Sequence, residues 1–270
     1  MSSQSIREYL LTKQYKNADN LNARIELHRR FSTNGYGWTR FVFDQLVAAL
    51  PSNARVLEIG CGPATLWRAN VNRIPAGWDV TLSDFSAGML DEARASLAES
   101  GREFHFAEVD AQAIPFADAS FDGVIANHML YHVPDRDKAL GEIRRVLKPG
   151  GTLFAATNGE RHLIEFEELL RRAETPEGWW RMPAAMMDFS LENGRDQLAR
   201  HFSHVELRPY ENALEVTETE PLVAYVLSTA SAARMTEEHV ARFRRVAEEE
   251  IAARGTVHIS IETGLFAART

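Results

Sequence analysis

Between residues 55 and 156, short apolar runs that end in glycine or aspartate alternate with stretches of helical spacing, and that alternation admits few folds. The runs are Arg55 to Ile59, Asp79 to Leu82, Glu103 to Val109, Gly123 to Ala126 and Thr152 to Ala156. Helices fit between them at Ala64 to Asn70, Ser86 to Ser100 and Asp135 to Leu147, the last stopped by Pro149-Gly150-Gly151. Strands apolar along their whole length, separated by helices, belong to a parallel sheet covered on both faces. The predicted class is therefore α/β, doubly wound.

The flanking segments read differently. Residues 4 to 50 carry apolar positions at helical spacing, broken near Asn34-Gly35, and predict an N-terminal helical segment. Residues 158 to 200 hold helix-like pieces, Trp179-Trp180 and methionines at 182, 186 and 187, which predict an inserted helical cap. A strand follows at His204 to Pro209, then helices around Leu222 to Ser231 and Glu237 to Arg254, then alternation from Thr256 to Ala267 that predicts a closing strand. No repeat or linker divides the chain. The expected organisation is one domain in four parts: a helical lid at 1–50, a core at 51–157, a cap at 158–202, and the rest of the sheet with its helices at 203–270.

A formal charge of −8 argues against a broad phosphate-binding footprint, so no nucleic-acid partner is expected. Neither an apolar leader nor a run of membrane-spanning length is read, and the expectation is a cytoplasmic protein with no membrane partner. Cys61 is the single cysteine, which excludes an intrachain disulfide and a cysteine-rich zinc site. With no cluster at metal-ligand spacing, no metal is expected.

The residues that carry chemistry lie where the apolar runs end. Val56-Leu57-Glu58-Ile59 runs into Gly60-Cys61-Gly62, and glycines there let the backbone approach a ligand closely. Such a turn is shared with dinucleotide-binding proteins, but Thr65 stands where their fingerprint needs its last glycine, and Glu58 would repel a pyrophosphate. Glu58 instead suits a ligand with an ammonium and a sulfonium. The second run ends at Asp84, placed to accept from both hydroxyls of a ribose. The third ends at Asp110-Ala111, and the fourth hands over to Asn127-His128-Met129-Leu130-Tyr131-His132. Open α/β sheets bind ligands at that carboxyl edge.

Glu58-Ile59-Gly60-Cys61-Gly62, Asp84, Asp110-Ala111, Phe121-Asp122 and Leu147-Lys148-Pro149-Gly150-Gly151 together resemble the ordered motifs of class I, Rossmann-like S-adenosylmethionine-dependent methyltransferases, over about residues 52 to 157. The resemblance implies a mostly parallel seven-stranded sheet with an antiparallel last strand. It implies S-adenosyl-L-methionine as cofactor, S-adenosyl-L-homocysteine as product, and a cofactor site of Glu58, Gly60, Cys61, Gly62, Asp84, Phe85, Met89, Asp110, Ala111, Gln112 and Asn127. Ala64 departs from the pattern, since many relatives have a third glycine there.

His128 and His132 are the candidate bases or substrate-positioning groups, because an imidazole can accept a proton near neutral pH. Arg30, Tyr36, Tyr131, His162 and Trp179 are the candidate substrate contacts. Each has a plainer structural reading: the aspartates as turn formers or helix caps, Tyr131 as a packed aromatic, Cys61 as a buried thiol. The acceptor is expected to be a small metabolite methylated on oxygen, nitrogen or carbon, by a monomer or homodimer. The rivals are a nicotinamide-dependent oxidoreductase and a non-catalytic regulator that keeps the pocket.

Overall fold

The computed structural model describes residues 19–175, 188–229, 232 and 234–270, with side chains from residue 23 onward. Helices α1 (Asp19–Phe31) and α2 (Trp38–Ala49) precede strand β1 (Arg55–Ile59). Then α3 (Thr65–Asn70), β2 (Asp79–Asp84), α4 (Ala87–Leu97), β3 (His105–Glu108), β4 (Phe121–Asn127), α5 (Arg136–Val146) and β5 (Leu147–Asn158) complete the alternation. Helices α6 (Glu165–Arg172) and α7 (Gly194–Leu198) lead to β6 (His204–Val216), and α8 (Thr219–Leu227) and α9 (Glu237–Arg254) lead to β7 (Val257–Arg269).

Among the described residues the strands form one seven-stranded sheet in the order β3-β2-β1-β4-β5-β7-β6. Pairs β1–β2, β1–β4, β2–β3 and β4–β5 are parallel, whereas β7 runs antiparallel to both β5 and β6. This is the mostly parallel sheet with an antiparallel last strand that the resemblance implies. It differs from the 3-2-1-4-5-6 order of dinucleotide-binding folds, because the last strand inserts between its two predecessors.

Two apolar clusters sandwich the sheet. One gathers Leu57, Val124, Leu140, Ile143, Leu153 and Phe266; the other gathers Val56, Trp67, Val80, Leu90, Ile125 and Phe154. Alternate residues of each strand thus serve opposite faces, as a sheet covered on both sides requires. A third cluster lies past the carboxyl edge, where Leu27 and Phe31 of α1 meet Phe166 of α6, Leu222 and Tyr225 of α8, Phe243 of α9, and Leu214 and Ile259.

That third cluster exists because β6 runs past the predicted Pro209 to Val216 and pairs there with β7, whose start agrees with the alternation predicted from Thr256. They pair from His204↔Arg269 to Val216↔Val257, so half of their ladder projects beyond β5. Pro209 does not end β6: it is the sheet's outer strand, and an edge strand tolerates a residue with no ladder N–H. The projecting ribbon receives the N-terminal segment, with Thr33 N–H donating to the Ala213 carbonyl at 2.9 Å and Ser32 bridging Leu214. Within the expected cap, α6 and α7 are described; Trp179, Trp180, Met182, Met186 and Met187 lie outside the described residues. No helix among the described residues is long and apolar enough to cross a membrane.

Candidate functional site

The glycine turn after β1 is held open by its own sequence. Gly60 has φ +71°, and a Cβ there would stand 2.9 Å from Cβ of Met129, so a side chain is excluded on two grounds. Gly62 also has positive φ, at 52°. Ala64 takes a left-handed φ of 56° at the N-cap of α3, the conformation that a glycine would adopt without strain, and its methyl is fully buried.

Asp84, at the end of β2, ties this turn down. One of its carboxylate oxygens accepts from Gly62 N–H and the other from Ser86 N–H, both at 2.9 Å. Burial pushes its pKa up, with those backbone donors acting in opposition. A carboxylate has about four acceptor positions, and with the Phe85 main chain also donating toward it, capacity for a further donor remains.

Glu58 is 2% exposed. Trp67 Nε1 donates to one oxygen at 2.5 Å and Asn127 Nδ2 to the other at 3.3 Å. Burial nevertheless pushes the Glu58 carboxyl up to about 8, helped by the negative charge of Asp84. The other end of the Asn127 amide, Oδ1, is buried with no partner. An ionisable acid and an orphaned acceptor side by side, in a turn that excludes side chains, suit a ligand carrying an ammonium.

The β3 edge is organised by an Asx turn: Asp110 Oδ1 accepts from Gln112 N–H at 2.9 Å and from Gln112 Nε2 at 3.0 Å. Gln112 Oε1 in turn accepts from Asp135 N–H at 3.1 Å, tying this loop to α5. Ala111 and Met89 are buried and Phe85 is half-buried beside Asp84. Cys61 is buried in the turn, and burial with the charges of Glu58 and Asp84 pushes its thiol far above the ordinary range, which leaves no reactive thiolate.

Beyond Asn127 stands a row of imidazoles. His128 takes φ 50°, donates its N–H to the Ala156 carbonyl at 3.1 Å, and lies 5.3 Å from the Trp38 ring. His132 packs its ring against Tyr131 at 4.5 Å. Burial depresses both to about 4, helped at His132 by the charge of Arg24. His162 is buried, near-parallel to His28 of α1 at 6.5 Å. Arg30 and Tyr36 make their polar contacts elsewhere: Arg30 pairs with Glu218, and the exposed Tyr36 donates to Asp44. Trp179 lies outside the described residues.

Two participants lie outside the named candidate residues, although the stretch His28 to Trp38 reads as a lid over cofactor or substrate. Trp67 fixes Glu58 from nine residues away, a spacing that announces nothing. His28 reaches the row only because α1 docks on the β6–β7 ribbon; its place in a run of bases and aromatics, His28 to Trp38, was the one available signal.

Residues 57–155 match the family model described as a methyltransferase domain. A malonyl-acyl-carrier-protein O-methyltransferase from Enterobacter lignolyticus is 34% identical over 177 residues, 63% of this chain and 65% of that protein. A demethylmenaquinone methyltransferase from Renibacterium salmoninarum is 40% identical over 139 residues, 50% of this chain and 55% of that protein. The chain thus spans between about half and two thirds of these curated relatives. In fold it is similar to a Haemonchus contortus phosphoethanolamine N-methyltransferase 2 solved with S-adenosylhomocysteine, at a TM-score of 0.59 and 20% identity, covering 98% of this chain and 60% of that one. Residues 57–155 are thus similar to a methyltransferase domain, and the sheet that carries them has the fold of a methyltransferase solved with S-adenosylhomocysteine.

Proposed function

We propose that the chain is an enzyme that moves the methyl group of S-adenosylmethionine onto a nucleophilic atom of a small metabolite by in-line displacement, releasing S-adenosylhomocysteine. The observation that carries this reading is the juxtaposition at one sheet edge of a side-chain-excluding glycine turn, the buried Glu58 and the orphaned Asn127 Oδ1. Glu58 and Asn127 would hold the methionyl ammonium over Gly60 to Gly62, Asp84 the ribose hydroxyls, and Phe85, Met89 and Asp110 to Gln112 the adenine. The reaction would run in the cytoplasm, in a monomer or homodimer.

S-Adenosylmethionine brings an already activated methyl group, so the protein's task is alignment and exclusion of water, with effective molarity contributing up to about 7–11 kcal/mol. His128 and His132 have neutral rings at physiological pH, because burial opposes their charging. They can accept a proton, but with values of about 4 they are weak bases, so they suit alignment of a nucleophile better than deprotonation of a reluctant one. The relatives named above methylate through oxygen, nitrogen or an unnamed atom, and the acceptor atom is not fixed by likeness.

The test is calorimetry with S-adenosylmethionine and S-adenosylhomocysteine, followed by a methyl-transfer screen against a metabolite library. Binding with turnover upholds the reading, binding without turnover makes the chain a cofactor-holding regulator, and absence of binding removes the reading altogether. Asn127→Ala should weaken S-adenosylmethionine about tenfold by calorimetry, the value of one buried hydrogen bond to a charged donor. Unchanged affinity in that variant would take Asn127 out of the site.

A further inference from the structure

Reading across the carboxyl edge from β2 to β5, the sheet delivers Asp84, then Glu58, then Asn127-His128, and then the segment that carries His162. Neighbouring strands are about 4.8 Å apart, so β2 to β4 spans roughly 10 Å, and the β5 end stands one strand beyond the methionyl position. His162 follows β5 closely, its N–H donating to the Gly159 carbonyl at 3.2 Å, while the next residue, Leu163, donates to the Ser260 carbonyl at 2.9 Å. The main chain at His162 is therefore held on both sides. His28 of α1 lies near-parallel to it at 6.5 Å.

His162 Nδ1 is buried with no hydrogen-bond partner, although the residue is 9% exposed and the Glu262 main chain lies beside its ring. A sealed acceptor is costly unless something donates to it. The charge of His28 reaches His128 and His162, that of His128 reaches His162, and that of Arg24, whose guanidinium bonds the Ser228 hydroxyl and carbonyl at 3.0 and 2.6 Å, reaches His132. The carboxylates nearest this segment are already engaged, Glu262 by Arg161 N–H and Glu165 by Ser260 N–H and Oγ, so an uncharged hydroxyl is the better match for a neutral imidazole. Among the described residues no set of three or more such side chains has the geometry of a metal centre.

We propose that the interior between α1 and the ends of β4 and β5 binds the methyl acceptor, and that His162 Nδ1 takes a hydrogen bond from a hydroxyl of an uncharged acceptor. His28 keeps the His162 ring in its plane, and His128 faces the acceptor from the cofactor side. His162 is on this account a specificity residue, and the assignment rests on the methyl-transfer reading above.

The probe is phenol, titrated into the full-length protein saturated with S-adenosylhomocysteine, with benzylammonium as the charged control and the imidazole nitrogens followed by NMR. Phenol is expected to move the His162 Nδ1 signal saturably toward the frequency of a protonated nitrogen, and benzylammonium to leave it in place. His162→Leu should weaken phenol about tenfold, while His162→Gln, which keeps an acceptor, should stay within about twofold. Cofactor affinity should be unchanged in both, which shows that they fold. A phenol titration that leaves His162 unmoved, equal response to benzylammonium, or equal phenol affinity in His162→Leu would each overturn the assignment while the cofactor reading stands. Failure of S-adenosylhomocysteine to bind the wild-type chain would instead remove the reading on which it rests.

Discussion

Replacing Asp84 with alanine should weaken S-adenosylmethionine on the order of 100-fold, the largest single loss expected from any side chain at the sheet edge. Two effects add. A carboxylate that accepts from two ribose hydroxyls contributes roughly 1.5–3 kcal/mol for each charge-assisted bond, and 1.4 kcal/mol is a factor of ten. The same carboxylate also holds the glycine turn through Gly62 N–H and starts α4 through Ser86 N–H, both at 2.9 Å. Without it two backbone donors lose their partner and the turn loses its anchor. Calorimetry measures the first effect, and hydrogen exchange at Gly62 and Ser86 the second. Loss of affinity with protection retained would mean that Asp84 acts on the cofactor alone; retained affinity would place the ribose elsewhere.

Much of this edge was legible because its determinants are local. The run Arg55 to Ile59 coincides with β1, and the glycine turn announces itself by composition, since positive φ at Gly60 and Gly62 is a property a sequence can state. Asp84 and Asp110 could be nominated because strand ends and turn formers are short-range signals. What was not legible depends on neighbours far along the chain. The length of β6 could not be read past Pro209, because whether a proline ends a strand depends on which strand pairs on that side, and among the described residues none does. The full extent of β5 was hidden likewise: Lys148-Pro149-Gly150-Gly151 reads as a turn, yet Leu147 pairs with Phe121 before an irregularity resets the register at Gly123↔Thr152. Trp67 and His28 belong to the same class, brought to Glu58 and His162 by tertiary packing. Arg30 and Tyr36 were nominated by composition, a signal that does not distinguish a ligand contact from the ion pair with Glu218 or the hydrogen bond to Asp44.

Glu58→Gln is expected to stabilise the cofactor-free protein while crippling its use. In the folded chain the Glu58 carboxyl is pushed to about 8 by burial, from an ordinary value of 4.5, and the Trp67 and Asn127 donors recover only part of that. Between those two values the folded chain keeps a proton that the unfolded chain has released, so stability is full below about pH 4.5 and falls as pH rises toward 8. Above that the whole cost of a buried carboxylate stands, on the order of a few kcal/mol. Glutamine keeps the shape and an acceptor for Trp67 but has no charge to bury. At pH 8 the variant's melting midpoint should exceed that of the wild type by roughly 5–10 °C, and the difference should vanish near pH 4.5. S-Adenosylmethionine supplies the cation that Glu58 lacks, so wild-type binding at pH 7 should release close to one proton, read from the dependence of calorimetric heat on buffer ionisation enthalpy. The variant should release none and bind roughly 10- to 100-fold more weakly. Equal proton release from both proteins would show that Glu58 is already ionised before the cofactor arrives, and the midpoint difference at pH 8 would then disappear with it.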